Sequence, residues 1–406
     1  MDQDVTILNP FTIITSTEDG KFISSKTFDP VVEDIAKPLP LPRSHMDNAP
    51  ALAADVNGDN IKEGITVNAG QVEVDGVAIT GAIGYNPNSI ATVGDLDNDG
   101  YEDFIVGRAN DVGQFMGTNG VVTNPAPPIQ GSDTVGGDNY GHSVSSAGDF
   151  NGDGYLDYVV GAKDHGGSGE GAAYIHLSGP TPAEIKISST VAGQNLGSHV
   201  TNIGDVNGDG LTDILIGTMT NEAYVVFGGA PSQNANALSG SGDGFKIDAG
   251  LNIQSAAAAG DFNGDGYDDF AIALDDGTHI NTYIILGKNG VFADLTFAEL
   301  EDPTKTIKIS DINASGSSPY QVNFLGDTNG DGLDDIQVGY GPNEFHTVYG
   351  WHGSHNPNNA TYIAGQNKTG SITATDDDQV LIDAKNYDDG GKQNTIFIGN
   401  NQDNTI

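Results

Sequence analysis

Short apolar runs alternate with stretches of aspartate, asparagine and glycine along most of the chain. Residues 141–188 show the pattern most clearly. A loosely alternating stretch, HSVSSAG, precedes the acidic segment GDFNGDGYLD, and the apolar run YVVGA follows that segment directly. A glycine-rich turn, a second apolar run (AAYIHLSG) and the alternating AEIKIS complete the unit. Short runs without helical period, bounded by turn residues, predict four β-strands.

The acidic segment occurs six times, so the four-stranded unit is a repeat. We number the nine-residue acidic loops, and the repeats that contain them, from 1 to 6 along the chain. Their first aspartates lie 40 to 66 residues apart. Tandem four-stranded units at this period are typical of a β-propeller, whereas a solenoid, the alternative, usually has shorter repeats. The loops are 55–63 (loop 1), 95–103 (loop 2), 149–157 (loop 3), 205–213 (loop 4), 261–269 (loop 5) and 327–335 (loop 6).

Each loop offers oxygen atoms at alternate positions around a tight turn. Glycines at positions 4 and 6 permit backbone conformations that bulkier residues resist. Side-chain oxygens at positions 1, 3, 5 and 9, with the backbone carbonyl of position 7, can surround Ca²⁺ at its usual distance of about 2.3–2.6 Å. An all-oxygen, carboxylate-rich set disfavours zinc and copper, and Mg²⁺ holds its waters too tightly for such a cage. The sequence therefore predicts about six Ca²⁺ sites.

The predicted metal ligands occupy the same five positions in every loop. Position 1 is Asp55, Asp95, Asp149, Asp205, Asp261 and Asp327. Position 3 is Asn57, Asp97, Asn151, Asn207, Asn263 and Asn329. Position 5 is Asp59, Asp99, Asp153, Asp209, Asp265 and Asp331. Position 7, through its carbonyl, is Ile61, Tyr101, Tyr155, Leu211, Tyr267 and Leu333. Position 9 is Glu63, Asp103, Asp157, Asp213, Asp269 and Asp335.

Two loops depart from this pattern, and two other interpretations of it were weighed. Loop 1 has Asn60 in place of a glycine at position 6 and Glu63 at position 9, so its site is the least secure. Loop 2 has a fourth carboxylate, Asp97, and is expected to bind most tightly. An EF-hand would need a glutamate at position 12 and flanking helices, but strand sequences follow here. Plain hairpin turns would not require the same four-position pattern six times.

Composition excludes several classes of protein. The 406 residues carry a formal net charge of −41, which repels nucleic acid and anionic membrane surfaces. The absence of cysteine excludes disulfides and thiolate metal sites. No apolar run approaches the ~20 residues of a membrane-spanning helix. The start, MDQDVTILNP, lacks the pattern of a secretory signal, so we expect a mature chain, part of a longer one, or another export route.

The repeats resemble the FG-GAP units of integrin α-subunit propellers and of related bacterial secreted proteins. The clearest copy has Tyr140-Gly141, the segment GDFNGDGYLDYVV, and then Gly161-Ala162-Lys163. The acidic loop matches the family pattern better than the flanks, where Tyr or Leu replaces Phe and Lys replaces Pro. The resemblance covers roughly residues 50 to 350. It implies an all-β propeller with Ca²⁺ bound between the first two strands of each blade.

Both ends of the chain predict strands without an acidic loop. These are DVTIL, FTIIT and KFIS before residue 50, followed by the extended linker KPLPLPR, and SITAT, QVLID and NTIFIG after residue 365. We interpret residues 1–406 as a single propeller domain, in which residues 50–350 form six calcium-loop repeats. Segments 1–49 and 351–406 share a seventh blade, which avoids bare strand edges. Six blades with decorated tails are the alternative.

The predicted function is a non-catalytic binding or adhesion module, integrin-α-like, extracellular or on the cell surface, and stabilised by Ca²⁺. Weak calcium sites of the extracellular kind would be filled outside a cell and empty in cytosol. No His-Glu-x-x-His motif occurs, and the paired acids are accounted for as metal ligands, so we expect no enzyme activity. A carbohydrate-binding propeller lectin or a calcium-dependent polysaccharide-active enzyme is the alternative. Trp351 is the single tryptophan, which provides little for sugar stacking.

The expected partner is a protein or a glycan, bound to a monomeric propeller within a longer protein. Successive strands of a blade run antiparallel, so the loops between second and third strands emerge at the end opposite the calcium loops. Exposed loops on a rigid scaffold are favoured binding sites. The predicted partner loops are 108–117, 163–171, 218–222, 274–280 and 340–346.

Overall fold

A computed structural model of the chain shows an all-β fold. It describes residues 52–350, apart from 59–61, 69–70, 84–88, 109, 119–121, 123–127, 230–233, 239, 278, 303–304, 311–319, 329, 331 and 341–343, and six short strands nearer the ends. Residues 1–38 and 39–406 form two compact units. Strands β1 (Thr12–Ser16) and β2 (Phe22–Thr27) pair antiparallel in the first unit.

The second unit contains one antiparallel sheet for each repeat. Repeat 1 has β4 (Leu52–Ala54), β5 (Glu63–Asn68), β6 (Gln71–Val74) and β7 (Val77–Ile83). Repeat 2 has β8 (Ser89–Gly94), β9 (Asp103–Gly107) and β10 (Val112–Phe115), with β3 (Arg43–Ser44) paired to β8. Repeat 3 has β11 (Tyr140–Gly148), β12 (Asp157–Ala162), β13 (Ala172–Leu177) and β14 (Ala183–Ser188).

The remaining sheets follow the same order, in which each strand pairs with the next along the chain. Repeat 4 has β15 (His199–Gly204), β16 (Asp213–Gly217), β17 (Glu222–Val226) and β18 (Gly244–Asp248), with β22 (Leu295–Thr296) added in parallel. Repeat 5 has β19 (Asn252–Gly260), β20 (Asp269–Asp275), β21 (Ile280–Ile285) and β23 (Thr306–Ser310). Repeat 6 has β24 (Tyr320–Gly326), β25 (Asp335–Tyr340) and β26 (Glu344–Val348). A last sheet has β27 (Thr361–Ile363), β28 (Val380–Asp383) and β29 (Ile396–Ile398).

Helix is limited, within the described residues, to α1 (Phe297–Leu300) and one 3₁₀ turn (Ala235–Ala237). Thr296 and Glu299 form a capping box at the start of α1. It provides acceptors for backbone N–H groups of the first turn, which have no partner within the helix. The prediction of strands without helical period therefore agrees with the fold. All acidic loops join the first and second strands of their repeats, as expected.

The second strand of repeats 2, 3 and 4 is apolar after its first aspartate because both of its faces are buried. In β9, Phe104 and Val106 pack with repeat 1, whereas Ile105 packs with repeat 3. The cores that the structure describes are five clusters, and each lies between two consecutive repeats. Sheets packed face to face in this way bury every position of a central strand, so the sequence reads as a continuous apolar run.

The first strands of consecutive repeats lie side by side, in the order β4, β8, β11, β15, β19 and β24. Serine side chains satisfy some of the backbone N–H groups that would otherwise remain unpaired along these edges. Ser143 Oγ accepts from Val200 N–H at 3.0 Å, and Ser145 Oγ accepts from Asn202 N–H at 3.2 Å. Five of these strands, β8, β11, β15, β19 and β24, line a cavity of about 460 Å³. This arrangement fits a propeller.

Some boundaries differ from the sequence prediction. The predicted partner loop 108–117 contains strand β10, so the connection in repeat 2 is only 108–111. The predicted strands FTIIT, KFIS, QVLID and NTIFIG correspond to β1, β2, β28 and β29. The predicted strands DVTIL and SITAT lie outside the described residues. A seventh blade made by both ends remains a prediction.

Candidate metal loops

The aspartate at position 1 organises each loop through its own carboxylate. Asp149 accepts the backbone N–H groups of Gly152, Asp153 and Gly154 at 2.8, 3.0 and 2.9 Å. Asp205 makes the same three contacts in loop 4, at 2.8, 3.1 and 2.8 Å. One side chain thus holds residues 149–154 of loop 3, and 205–210 of loop 4, in a tight turn.

Positive φ angles at positions 4 and 6 make this turn possible. In loop 3 these are Gly152 at +76° and Gly154 at +87°. In loop 2, Asn98 takes position 4 with a φ of +60°, a region that asparagine enters more readily than most residues. The sequence pattern Asn-Gly-Asp-Gly is therefore a backbone requirement as well as a set of predicted ligands.

Positions 3 and 5 are hydrogen bonded to each other within the turn. Asn151 Oδ1 accepts from the Asp153 N–H at 3.0 Å, and Asn151 Nδ2 donates to Asp153 Oδ2 at 3.0 Å. The same Asn–Asp contact at 3.0 Å recurs in loops 4 and 5. An amide oxygen and a carboxylate oxygen held in this way are suitable ligands for a hard cation.

Loop 2 concentrates more negative charge than the other loops. Carboxylate oxygens of Asp95, Asp97 and Asp99 lie within 4.8 Å of one another, and no other described group of three or more acidic, histidine or cysteine residues is this close. Partial burial raises the pKa of Asp97, and the Asp99 and Asp95 carboxylates raise it further. Loops 3 to 5 have asparagine at position 3 instead. Positions 1, 3 and 5 of these loops therefore provide two carboxylates and one amide.

Position 9 is a buried structural centre as well as a predicted ligand. Asp157 accepts the N–H of Phe150, at position 2 of its own loop, at 3.0 Å. Its other oxygen accepts the N–H of Ser178, just beyond the third strand, at 2.8 Å. The same pair of contacts recurs at Asp103, Asp213 and Asp335. Sequence reasoning predicted a ligand at this position but missed its structural role.

Burial perturbs these position 9 carboxyls strongly. It raises the pKa of Asp103 to about 7, of Asp157 to about 6, and of Asp213 and Asp269 to about 8. The backbone N–H donors oppose the shift, but desolvation outweighs them. A bound divalent cation would favour the charged form at these positions.

Asp269 supplies the clearest indication that a cation fits. Its Oδ1 accepts the N–H of Gly287 at 2.7 Å. Its Oδ2 is buried and has no hydrogen-bond partner among the described residues, because Phe262 N–H donates to the Gly260 carbonyl instead. A buried carboxylate oxygen without a donor is costly unless a cation or water satisfies it. Loop 5 therefore leaves one buried acceptor that a bound cation would satisfy.

The six loops are not equally described. Asp59 and Ile61 of loop 1, and Asn329 and Asp331 of loop 6, lie outside the described residues. Glu63 of loop 1 accepts from Val56 N–H at 3.0 Å and from Asn57 Nδ2 at 2.9 Å, so the longer side chain reaches the position 9 contact. Ligation by the carbonyls of position 7 remains a prediction in every loop.

Position 8 has a structural role that the loop pattern does not predict. It carries an acid in loops 2, 5 and 6, namely Glu102, Asp268 and Asp334. An acid next to position 9 is visible in the sequence. Only the structure shows that it faces the preceding loop, to whose first aspartate it is hydrogen bonded.

Comparison with known proteins finds a repeat family and integrin α chains that are similar in sequence. Residues 95–160 and 149–216 match the family described as FG-GAP-like repeat. Integrin alpha pat-2 of Caenorhabditis elegans is 33% identical over 166 residues, which are 33% of this chain and 13% of that protein. Integrin alpha-5 of Xenopus laevis is 26% identical over 170 residues, 35% of this chain and 16% of that protein. The chain thus spans a small part of the length of these relatives.

A solved structure, BBS1N in complex with ARL6DN soaked with mercury, aligns with a TM-score of 0.42 and 8% identity over 85% of this chain and 89% of that one. None of the helices in the described part of the chain is long and apolar enough to cross a membrane. The sequence matches define an all-β protein that carries FG-GAP-like repeats. The resemblance to FG-GAP repeats and integrin α propellers is therefore confirmed.

Proposed function

We propose that the six acidic loops are Ca²⁺ sites in a β-propeller. The observation that carries the proposal is the unpartnered, buried Oδ2 of Asp269, which lies at a position predicted as a ligand from the loop pattern. In loop 2, the carboxylate oxygens of positions 1, 3 and 5 lie within 4.8 Å of one another, which supports a hard, all-oxygen set. When bound, the ion would neutralise the negative charge of the loop carboxylates. It would also link position 9 to positions 1, 3 and 5 of the same loop.

Counting bound ions tests this proposal. Native mass spectrometry of the full chain in excess calcium should show about six ions. Asp265→Ala removes a central carboxylate from a regular loop and should remove one ion. Asp59→Ala should matter least, because loop 1 departs from the pattern. Asp248→Asn, which removes one charge from a side chain 56% exposed and away from every loop, is the control and should remove none. A wild-type count of two or fewer would contradict the proposal.

We propose further that the protein is a non-catalytic adhesion or binding module outside the cell or on its surface. Its similarity to integrin α chains supports this function, although the matched segment is only part of those proteins. Six divalent ions would offset 12 of the 41 net negative charges. A calcium-rich environment outside the cell would provide these ions. The proposed partner is another protein, bound at the face opposite the calcium loops.

Alanine blocks in two connections test the partner face. Residues 163–171 and 218–221 join the second and third strands of repeats 3 and 4, at the end away from the acidic loops. Once a binding protein is obtained by affinity capture on the folded chain, alanine at the exposed positions of these connections (Gly167, Ser168, Met219 and Thr220) should abolish its binding while the melting temperature stays unchanged. Loss of binding caused only by calcium-loop substitutions in a folded protein would contradict this placement. Retention of the chain on a glycan array instead would favour a glycan partner.

A further inference from the structure

The residue at position 8 of a loop can hold position 1 of the loop before it. Asp268 of loop 5 shows this contact most clearly. Its Oδ2 accepts the Asp205 N–H at 2.7 Å, and its own N–H donates to the Asp205 carbonyl at 3.2 Å. We call this two-way contact a clamp. It joins adjacent repeats across about 60 residues of chain, because Asp205 belongs to loop 4.

Two other pairs of loops have the same clamp. Asp334 of loop 6 accepts the Asp261 N–H at 3.0 Å and donates to the Asp261 carbonyl at 3.4 Å. Glu102 of loop 2 accepts the Asp55 N–H at 3.0 Å and donates to the Asp55 carbonyl at 3.0 Å. Loops 4, 5 and 6 are thus connected in series, and loops 1 and 2 form a separate pair.

The other two junctions have no carboxylate at position 8. Leu156 of loop 3 lies against Gly94, so close that a Cβ on that glycine would be 2.3 Å from Leu156 Cδ1. Thr212 of loop 4 lies against Gly148, where a Cβ would be 2.2 Å from Thr212 Oγ1, and its N–H donates to the Asp149 carbonyl at a long 3.5 Å. The chain therefore contains clamped and unclamped junctions of otherwise similar geometry, which provides an internal control.

Ring contacts reinforce the clamp between loops 4 and 5. Tyr267, at position 7 of loop 5, covers Gly208 of loop 4, and a Cβ on that glycine would be 2.4 Å from Tyr267 Cε1. The Lys288 N–H, just beyond the third strand of repeat 5, donates to the Val206 carbonyl at 2.9 Å. Positions 1, 2 and 4 of loop 4 are therefore all held by repeat 5.

We propose that calcium binding is positively coupled between clamped loops, and that Asp268 and Asp334 transmit the coupling. This inference rests on the proposed calcium sites. Asp268 lies between Tyr267 and Asp269, two predicted ligands, so an ion in loop 5 would fix its backbone and side chain. Asp268 in turn fixes Asp205, whose carboxylate organises loop 4. An ordered position 1 lowers the entropic cost of closing loop 4 around its own ion, and by linkage the effect is mutual.

Hydrogen exchange during a calcium titration can measure this coupling loop by loop. The peptide covering 203–213 reports on loop 4, whose amides at Gly208, Asp209 and Gly210 are bonded to Asp205. Asp265→Ala disables loop 5 without touching loop 4. It should raise the calcium concentration at half-protection of loop 4 by about fivefold or more, the lower end of typical coupling between sites. In an Asp268→Thr background, the same substitution should shift the midpoint of loop 4 less than about twofold.

The unclamped junction is the matched control. Asp153→Ala disables loop 3, and the peptide covering loop 2 should keep its midpoint because Leu156 makes no clamp. If loop 4 is protected by calcium and its midpoint is unchanged by Asp265→Ala, the coupling is wrong but the proposed calcium sites stand. An undiminished shift in the Asp268→Thr background would overturn the role of Asp268. If no loop of the wild type gains protection from hydrogen exchange when calcium is added, the proposed calcium sites are wrong, and so is the coupling between them.

Discussion

At the scale of single residues, the position 9 aspartates combine two roles that a sequence pattern cannot separate. The spacing predicts a ligand, because oxygen-bearing residues alternate up to that position. The contact to the residue beyond the third strand depends on how three strands align, at sequence separations of 14 to 21. No local pattern encodes an acceptor for so distant an N–H, so that role appears only in the folded sheet.

These two roles predict different effects for two substitutions in the same loop. Asp213→Ala should cost one bound ion, and it should also lower stability by about 2–4 kcal/mol when calcium is absent, because Val206 N–H and Gly228 N–H lose their acceptor. Asp209→Ala should cost one ion as well. However, its exposed side chain can be replaced by water, so calcium-free stability should change by no more than about 0.5 kcal/mol.

Urea unfolding in EDTA, at a temperature where the calcium-free wild type is folded, measures the difference between these variants. The same curves in calcium chloride provide the reference. Equal stabilities for the two variants in EDTA would show that the position 9 carboxylate acts only through the metal.

At the scale of strands and connections, sequence prediction succeeded where burial is continuous. The runs after loops 2 to 6 were recognised as strands because burial on both faces makes them largely apolar. Strand β10 was missed and placed in the loop 108–117 because VGQF contains a glycine and a glutamine. Its ladder with β9 and the stacking of Phe115 on Phe104 override those weak local signals.

Glycines of the FG-GAP pattern bring the backbones of adjacent repeats together. A Cβ on Gly161, at the end of the second strand of repeat 3, would lie 2.0 Å from the Gly197 carbonyl oxygen of repeat 4. A Cβ on Gly107 would lie 2.2 Å from the Gly141 oxygen at the preceding junction. The two glycines of the motif therefore belong to one contact, although they are far apart in sequence.

Gly161→Ala should consequently destabilise the protein by about 1–3 kcal/mol or more, as overpacking does, because backbone must move to make room. The number of bound ions should not change. Gly167→Ala is the matched control: nothing lies within 4 Å of its Cβ, so its effect should be within about 0.5 kcal/mol. Thermal and urea unfolding with excess calcium measure both. A Gly161→Ala protein as stable as the control would show that the repeats can separate freely at this junction.

At the scale of the whole molecule, the repeat period predicted the number and order of the sheets but not how the ends are arranged. The period and the acidic loops repeat, so six sheets could be counted from the sequence. The ends carry strands without that marker, and generic strand patterns do not specify pairing partners. Residues 1–38 form a compact unit of their own, and β27, β28 and β29 form a sheet separate from those of the six repeats.

Calcium should supply much of the stability of this molecule. At a free calcium concentration ten times Kd, one site adds about 1.4 kcal/mol by mass action, so six add on the order of 8 kcal/mol. A folded protein has a total margin of about 5–15 kcal/mol. Without metal, the carboxylates bunched in each loop repel one another, and the strong net negative charge adds to that repulsion.

Thermal melts in EDTA and in millimolar calcium chloride test this expectation. The melting temperature should fall by more than about 10 °C in EDTA, which corresponds to a loss of several kcal/mol. Magnesium chloride should restore little of it, because Mg²⁺ holds its water shell and fits a flexible oxygen cage poorly. Matched sodium chloride separates general charge screening from specific binding, since screening acts through ionic strength alone. If the melts in EDTA and calcium coincide, the loops are turns rather than metal sites, and the extracellular placement that depends on calcium loses its basis.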